Sequence, residues 1–250
     1  RWTDEAGTDD CWGRSVWALG AAAAAHCELS IRSRARQGFD IGVRQRSRWP
    51  RAMAFAALGA AEVAARDGLD DPSRLLLEDS LEIIGYGPAG EWCWPEDRLR
   101  YANAALAEAV IAAGAALHDD EALDRGLAML TWLLERETSG DHLSVTGVDG
   151  RGPLDRSPQF DQQAIEVAAI ADACWRAHQV TGDDRWNTGI AAAARWFEGD
   201  NDTGVVMYDP RSGGGYDGLH RDGVNLNQGA ESTLALVSTM QHAQLLVAAP

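Results

Sequence analysis

Apolar residues recur every three or four positions along almost the whole chain, the period of an α-helix face rather than of a strand. This pattern predicts helices over residues 9–27, 30–44, 51–67, 72–85, 102–118, 120–136, 161–181, 183–198 and 229–247. The punctuation agrees. Pro72 fits a first turn after Asp71, Asp120 with Glu121 opens a helix, and Thr181-Gly182 closes one before Asp183-Asp184 opens the next. Alternating patterns are nearly absent; only Leu143–Val148 and Val205–Tyr208 read as short extended pieces.

Two kinds of helix recur. One is rich in alanine and glycine and follows a polar-aromatic loop, as after Trp49, Tyr101, Phe160 and Asn227. The other carries charge along one face and follows a very short turn, as in Asp120–Arg136 and Asp183–Phe197. Uncharged helices suit a layer packed on all sides, and charged ones suit an outer layer. Repeated helix–turn–helix units stack into a solenoid or close into a ring. The predicted class is therefore all-α, an α/α toroid of helical hairpins spanning residues 1–250 as one domain, with long loops on one face. Nine helices fall short of a complete six-hairpin ring.

Composition narrows the chemistry. Of 250 residues, 46% are hydrophobic, and 38 acids against 22 bases give a formal charge of −16. A nucleic-acid or anionic-membrane partner needs clustered positive charge and is not expected. Every base is arginine, so Schiff-base, pyridoxal and Walker-type phosphate chemistry, which need a lysine ammonium, drop out. No stretch is apolar enough to span a bilayer. Cys11, Cys27, Cys93 and Cys174 form no CxxC pair and read as buried free thiols of a cytoplasmic protein, with no metal and no cofactor expected.

Three loops carry more chemistry than a connection needs. Glu91–Tyr101 holds Trp92, Trp94 and Tyr101 among Glu96, Asp97, Arg98 and Arg100. Exposed indoles bind something or pack under a neighbour. The tryptophans therefore offer stacking faces for sugar rings or plug the core, and Glu96 or Asp97 supplies a reactive carboxyl or caps a helix. Phe160-Asp161-Gln162-Gln163 offers Asp161 either as an N-cap or as a general base held ionised by helix N–H groups. Tyr208–Thr233 is glycine-rich and contains Tyr216, Asp217, His220, Asn225, Asn227, Gln228 and Glu231. Glu231 reads either as part of a capping box or as an inward-facing, desolvated general acid. Asp200–Gly204 resembles the start of a calcium loop but lacks its later ligands.

Taken together, Trp92-x-Trp94-x-Glu96-Asp97-Arg98-Leu99-x-Tyr101-x-Asn103, Phe160-Asp161-Gln162-Gln163 and Asp217-Gly218-Leu219-His220 through Thr233 resemble the loops of bacterial α/α-toroid proteins labelled glycosyltransferase-associated. The resemblance runs over most of the chain and is strongest from Trp92 onward. It implies a six-hairpin-glycosidase-like fold, and an oligosaccharide or glycoconjugate as substrate. It also implies a glycosyltransferase encoded nearby as a partner. The chain itself has no αβ nucleotide-binding pattern.

The leading expectation is a glycoside hydrolase with Asp97 or Glu96, Asp161 and Glu231 as its acid and base. Substrate would be held by Trp92, Trp94, Arg98, Tyr101, Asn103, Gln162, Gln163, Tyr216, Asp217, His220, Asn225, Asn227 and Gln228. Inversion would require carboxyl groups roughly 6.5–9.5 Å apart. Two alternatives stand beside it. A sugar epimerase or isomerase would use paired histidines across a cavity. A non-catalytic carbohydrate-binding scaffold would hold its carboxylates in salt bridges with Arg98, Arg100 or Arg156.

Overall fold

The computed structural model describes residues 7–25, 28–88 and 90–248. Nine helices are described: α1 (Asp10–Ala24), α2 (Leu29–Gly42), α3 (Pro50–Asp67), α4 (Asp71–Ile84), α5 (Asn103–Leu117), α6 (Asp120–Arg136), α7 (Ala164–Thr181), α8 (Arg185–Phe197) and α9 (Ala230–Ala248). Each coincides with a predicted helix to within three residues at either end. α7 starts three residues later than predicted, and the cause lies at the site described below. Cys27 and His26 lie outside the described residues.

The chain divides into two compact units, Arg1–Tyr86 with Leu106–Leu127, and Gly87–Ala105 with Ala128–Pro250. In the first unit α3 is enclosed on all sides; Ala52, Met53, Ala54, Ala56, Ala57 and Leu58 have no exposed surface. Small residues make this possible by letting backbones touch. A Cβ on Gly13 of α1 would lie 2.2 Å from the Ala52 carbonyl oxygen of α3, and one on Gly59 of α3 would lie 2.5 Å from that of Val16. Gly114 and Gly126 bring the α5–α6 hairpin together in the same way. Asp70 caps α4 by accepting from the Ser73 N–H at 2.9 Å, and Asp119 caps α6 by accepting from that of Ala122 at 3.0 Å.

In the second unit α7 packs on α8 and α9. Trp186, Trp196 and Phe197 of α8 supply large buried side chains. Five short strands accompany these helices: β1 (Thr138–Ser139), β2 (His142–Leu143), β3 (Gln162–Gln163), β4 (Gly218–His220) and β5 (Gly223–Asn225). β1 pairs with β2, and β3, β4 and β5 form a three-stranded antiparallel sheet in that order. The extended pieces expected at Leu143–Val148 and Val205–Tyr208 contribute β2 and two isolated bridges, Gly147 to Gln162 and Tyr208 to Gly215. Arg151 pins the segment after β2. Its buried guanidinium donates to the carbonyls of Arg136 (2.5 Å) and Ser144 (2.8 Å) and to Gln159 Oε1 (3.3 Å).

Among the described residues no helix is long and apolar enough to cross a membrane. The cysteines correct the expectation of buried thiols. Cys11 is exposed and Cys93 half-buried, whereas Cys174 is buried, with its thiol pushed up to about 12 by that burial.

Candidate functional site

The second unit contains a cavity of about 340 Å³. Three segments wall it: Arg98, Arg100 and Tyr101 from the first long loop, Thr146–Gly150 after β2, and Gln163 with Glu166 where β3 runs into α7. Tyr101 stands at the rim with 42% of its surface exposed. Glu166 is its counterpart in the wall at 6% exposure. The Glu166 carboxylate accepts from the backbone N–H groups of Ala102 and Asn103 and from Asn103 Nδ2 at 3.1 Å. It thereby satisfies the first N–H groups of α5, which have no partner within their own helix. Arg98 Nη2 reaches the carbonyls of Asp149 at 3.2 Å and Gly150 at 3.1 Å, fixing the opposite wall.

Beside the cavity, the sheet sets up a second arrangement by its register. Gln162 pairs with Leu219 and Gln163 with Gly218, so one step further along Asp161 stands opposite His220. Side chains alternate between faces along a strand, which puts Asp161 and Gln163 on the same face as Gly218 and His220. The Asp161 carboxylate occupies the space a side chain at position 218 would need; a Cβ there would be 2.0 Å from Asp161 Oδ1. His220 Nε2 lies 3.3 Å from Asp161 Oδ1, within ion-pair distance but poorly aligned for a hydrogen bond. Desolvation raises the Asp161 pKa above its ordinary value, His220 opposes the rise, and the nearby charge of Asp217 adds to it. The Phe160–Asp161 peptide is cis, and the Asp161 carbonyl accepts from the Val148 N–H of the cavity wall at 3.0 Å.

Asp161 thus differs from its expected role. It neither caps α7, whose N-cap is Gln163, nor collects helix N–H groups that would keep it ionised. Gln162 and Gln163 form β3 where the sequence pattern predicts the first turn of a helix.

The remaining candidates fall into three groups. The first has become framework. Trp94 is 1% exposed and stacks on Trp132 at 5.7 Å between ring centroids. Trp92 meets the same ring edge-on at 5.0 Å and donates from Nε1 to the Glu96 carbonyl at 2.7 Å. Trp94 thus fills the unit, and the half-buried Trp92 has the Arg136 guanidinium over its ring, 5.4 Å from the centroid. Gln162 is fully buried, its amide donating to Asp202 (2.6 Å) and the Gln159 carbonyl (2.8 Å) and accepting from Trp196 (3.3 Å). Asn103 is buried at the start of α5, where it accepts from the Arg100 N–H at 2.8 Å.

The second group is built around Asp217, which caps α9 from twelve residues upstream. Its carboxylate accepts from Ser232 Oγ (2.5 Å), the Gly229 N–H (2.8 Å) and Asn227 Nδ2. The Ser232 hydroxyl, followed by the Asn227 and Gly229 donors, holds its pKa below the usual carboxylate range despite some desolvation. Asn225 accepts from the Asn227 N–H at 3.1 Å and Gln228 from Ser212 Oγ at 2.6 Å, ordering the same turn. Tyr216, half-buried, is tied through its backbone N–H to the Met207 carbonyl at 3.0 Å.

The third group is the remaining acids, of which Asp97 and Glu231 are exposed. Asp97 is 80% exposed and pairs with Arg100 at 3.2 Å; Glu96, half-buried, lies 3.9 Å from the same guanidinium. Glu231 is exposed on α9 rather than inward-facing. None of the four nominated carboxylates lines the cavity, where the acids are Asp149 and Glu166. The signal for Glu166 is present in the sequence, an acid in the first turn of a helix whose residues up to Ala171 are otherwise apolar. No histidine lines the cavity, and the described residues contain no group of three or more His, Cys, Asp or Glu placed to hold a metal ion.

No family model and no curated protein matches the chain. Among solved structures it is similar to a GH76 alpha-mannanase from Bacteroides thetaiotaomicron, with 10% identity and a TM-score of 0.66 over 96% of this chain and 70% of that one. It is also similar to a sugar epimerase from a ruminal bacterium, with 12% identity and a TM-score of 0.64 over 93% of this chain and 70% of that one. At such identities the likeness is one of fold. The fold is the expected all-α class, an α/α toroid, and the comparisons lend the glycosyltransferase-associated resemblance no support beyond that fold.

Proposed function

We propose that the protein is a carbohydrate-active enzyme, and that its reaction is hydrolysis of a glycosidic bond. The observation that carries this reading is a desolvated carboxyl, Asp161, held beside a cavity whose wall combines an aromatic ring, a neutral amide, guanidinium groups and a fixed carboxylate. A carboxyl with a raised pKa donates a proton to a departing glycosidic oxygen. In this reading Asp161 is that donor and His220 positions it. Tyr101 stacks on a sugar ring, Gln163 and Arg100 bond its hydroxyls, and Glu166 stands as the second carboxylate facing the oxocarbenium-like centre. The similarity in fold to an alpha-mannanase supports the substrate class.

The test is a panel of oligosaccharides and aryl glycosides, with the anomer of the first-formed product read by NMR. Inversion is the expected outcome. Asp161→Asn lowers turnover by about a hundredfold or more. It leaves the thermal midpoint at pH 7 unchanged or slightly higher, because a carboxyl whose pKa rises on folding opposes folding above that value. Full turnover in this variant would end the reading.

A second reading is favoured by one specific observation, the Asp161–His220 pair itself. An acid and an imidazole 3.3 Å apart can move a proton at a sugar carbon, as an epimerase requires. Incubation in deuterium oxide separates the two, because epimerisation by proton abstraction puts solvent deuterium on carbon and hydrolysis does not.

A further inference from the structure

We infer that the cavity takes a neutral sugar ring and discriminates against acidic sugars such as uronates and sugar phosphates. This rests on the carbohydrate reading above and adds the charge class of the substrate. Two guanidiniums in the wall, Arg98 and Arg100, would at first sight recruit an anion. Both are already answered. Arg98 lies 3.5 Å from Asp155, with its Nη2 also held by the carbonyls of Asp149 and Gly150. Arg100 lies 3.2 Å from Asp97 and 3.9 Å from Glu96.

The wall itself adds two more carboxylates, Asp149 and Glu166. Two guanidiniums and two carboxylates thus line the cavity, and three further carboxylates, Asp155, Asp97 and Glu96, lie beside those guanidiniums, in a chain of formal charge −16. A carboxylate or phosphate entering here finds no guanidinium without a carboxylate beside it, and it meets Glu166 at 6% exposure, where screening by water is weak. A neutral ring meets no such repulsion. The Glu166 oxygens and the Gln163 amide complement hydroxyl groups, and the half-exposed Tyr101 ring complements a C–H face. Rejection by like charge is how such sites discriminate between isosteric ligands.

The experiment titrates methyl α-D-mannoside, methyl α-D-glucoside, D-glucuronate and mannose 6-phosphate into the full chain by calorimetry at low ionic strength. A neutral glycoside is expected to bind at least about tenfold more tightly than either acidic sugar. Asp149→Asn, which removes one wall carboxylate at an exposed loop position, should narrow that gap by about 1.5- to 5-fold through tighter binding of the acidic sugars. Acidic sugars that bind as tightly as neutral ones would overturn the charge inference and leave the carbohydrate reading standing, as would a gap that Asp149→Asn does not move. Binding of none of the four would overturn both.

Discussion

The helices α5 and α9 begin in the same way and end up with different chemistry. Each has its first N–H groups satisfied by a carboxylate from elsewhere: Glu166, in the first turn of α7, serves α5, and Asp217, just before β4, serves α9. Glu166 is buried in a cavity wall, whereas Asp217 sits in a polar surface turn with a hydroxyl and an amide as extra donors. Glu231, the acid in α9's own first turn, is exposed. An acid at a helix start is therefore not assigned by its position in that helix. What decides is which neighbouring helix end lacks an acceptor, and whether water can reach it.

Removing the buried member should have the largest effect. Glu166→Ala removes the carboxylate that accepts from the buried Ala102 and Asn103 N–H groups and from Asn103 Nδ2, and is expected to destabilise the fold by about 3 kcal/mol or more. For a chain of this size that is a drop of roughly 6–12 °C in the thermal midpoint followed by circular dichroism. An unchanged midpoint would mean those donors do not depend on Glu166.

Asp217→Ala should have a smaller effect, about 0.5–2 kcal/mol, the usual loss for a cap. Its effect carries a pH signature. The folded-state pKa is depressed, so the stabilisation is present above the unfolded value of 3.8 and is lost as pH falls through the folded value. The difference between wild type and variant in urea melts should close below about pH 4. A gap that persists in acid would mean the turn is held by something other than this charge.

Glu231→Ala should fall within about 0.5 kcal/mol of wild type and leave turnover intact. A large loss in either would restore Glu231 to the site and undo the contrast.

How much of this was legible in the sequence follows from the range over which each signal acts. Helix periodicity and caps are local, and Pro72, Gly182 and the alanine-rich runs reported all nine helices. The loops were found as clusters, but not how their members divide. Trp92 and Trp94 look alike with Tyr101 when read as aromatic residues in one loop; it takes Trp132, from a distant helix, to turn two of the three inward. Asp161 reads as a helix cap or as a general base at a helix start because nothing local announces pairing with a strand more than fifty residues later. Glu166 was passed over because its function is to complete a helix start sixty-odd residues upstream.

The bare backbone at Gly218 has a consequence of its own. The seat of the Asp161 carboxylate is a vacancy where a methyl group would otherwise stand, and it is aligned with that acid only while β3 and β4 keep their present match. A slide of one residue would present Leu219 to the acid in place of His220 and turn the whole strand over. The proximity of acid and imidazole is thus a matter of alignment between distant segments. The intervening helices α7 and α8 bear on it by returning the chain to the same notch.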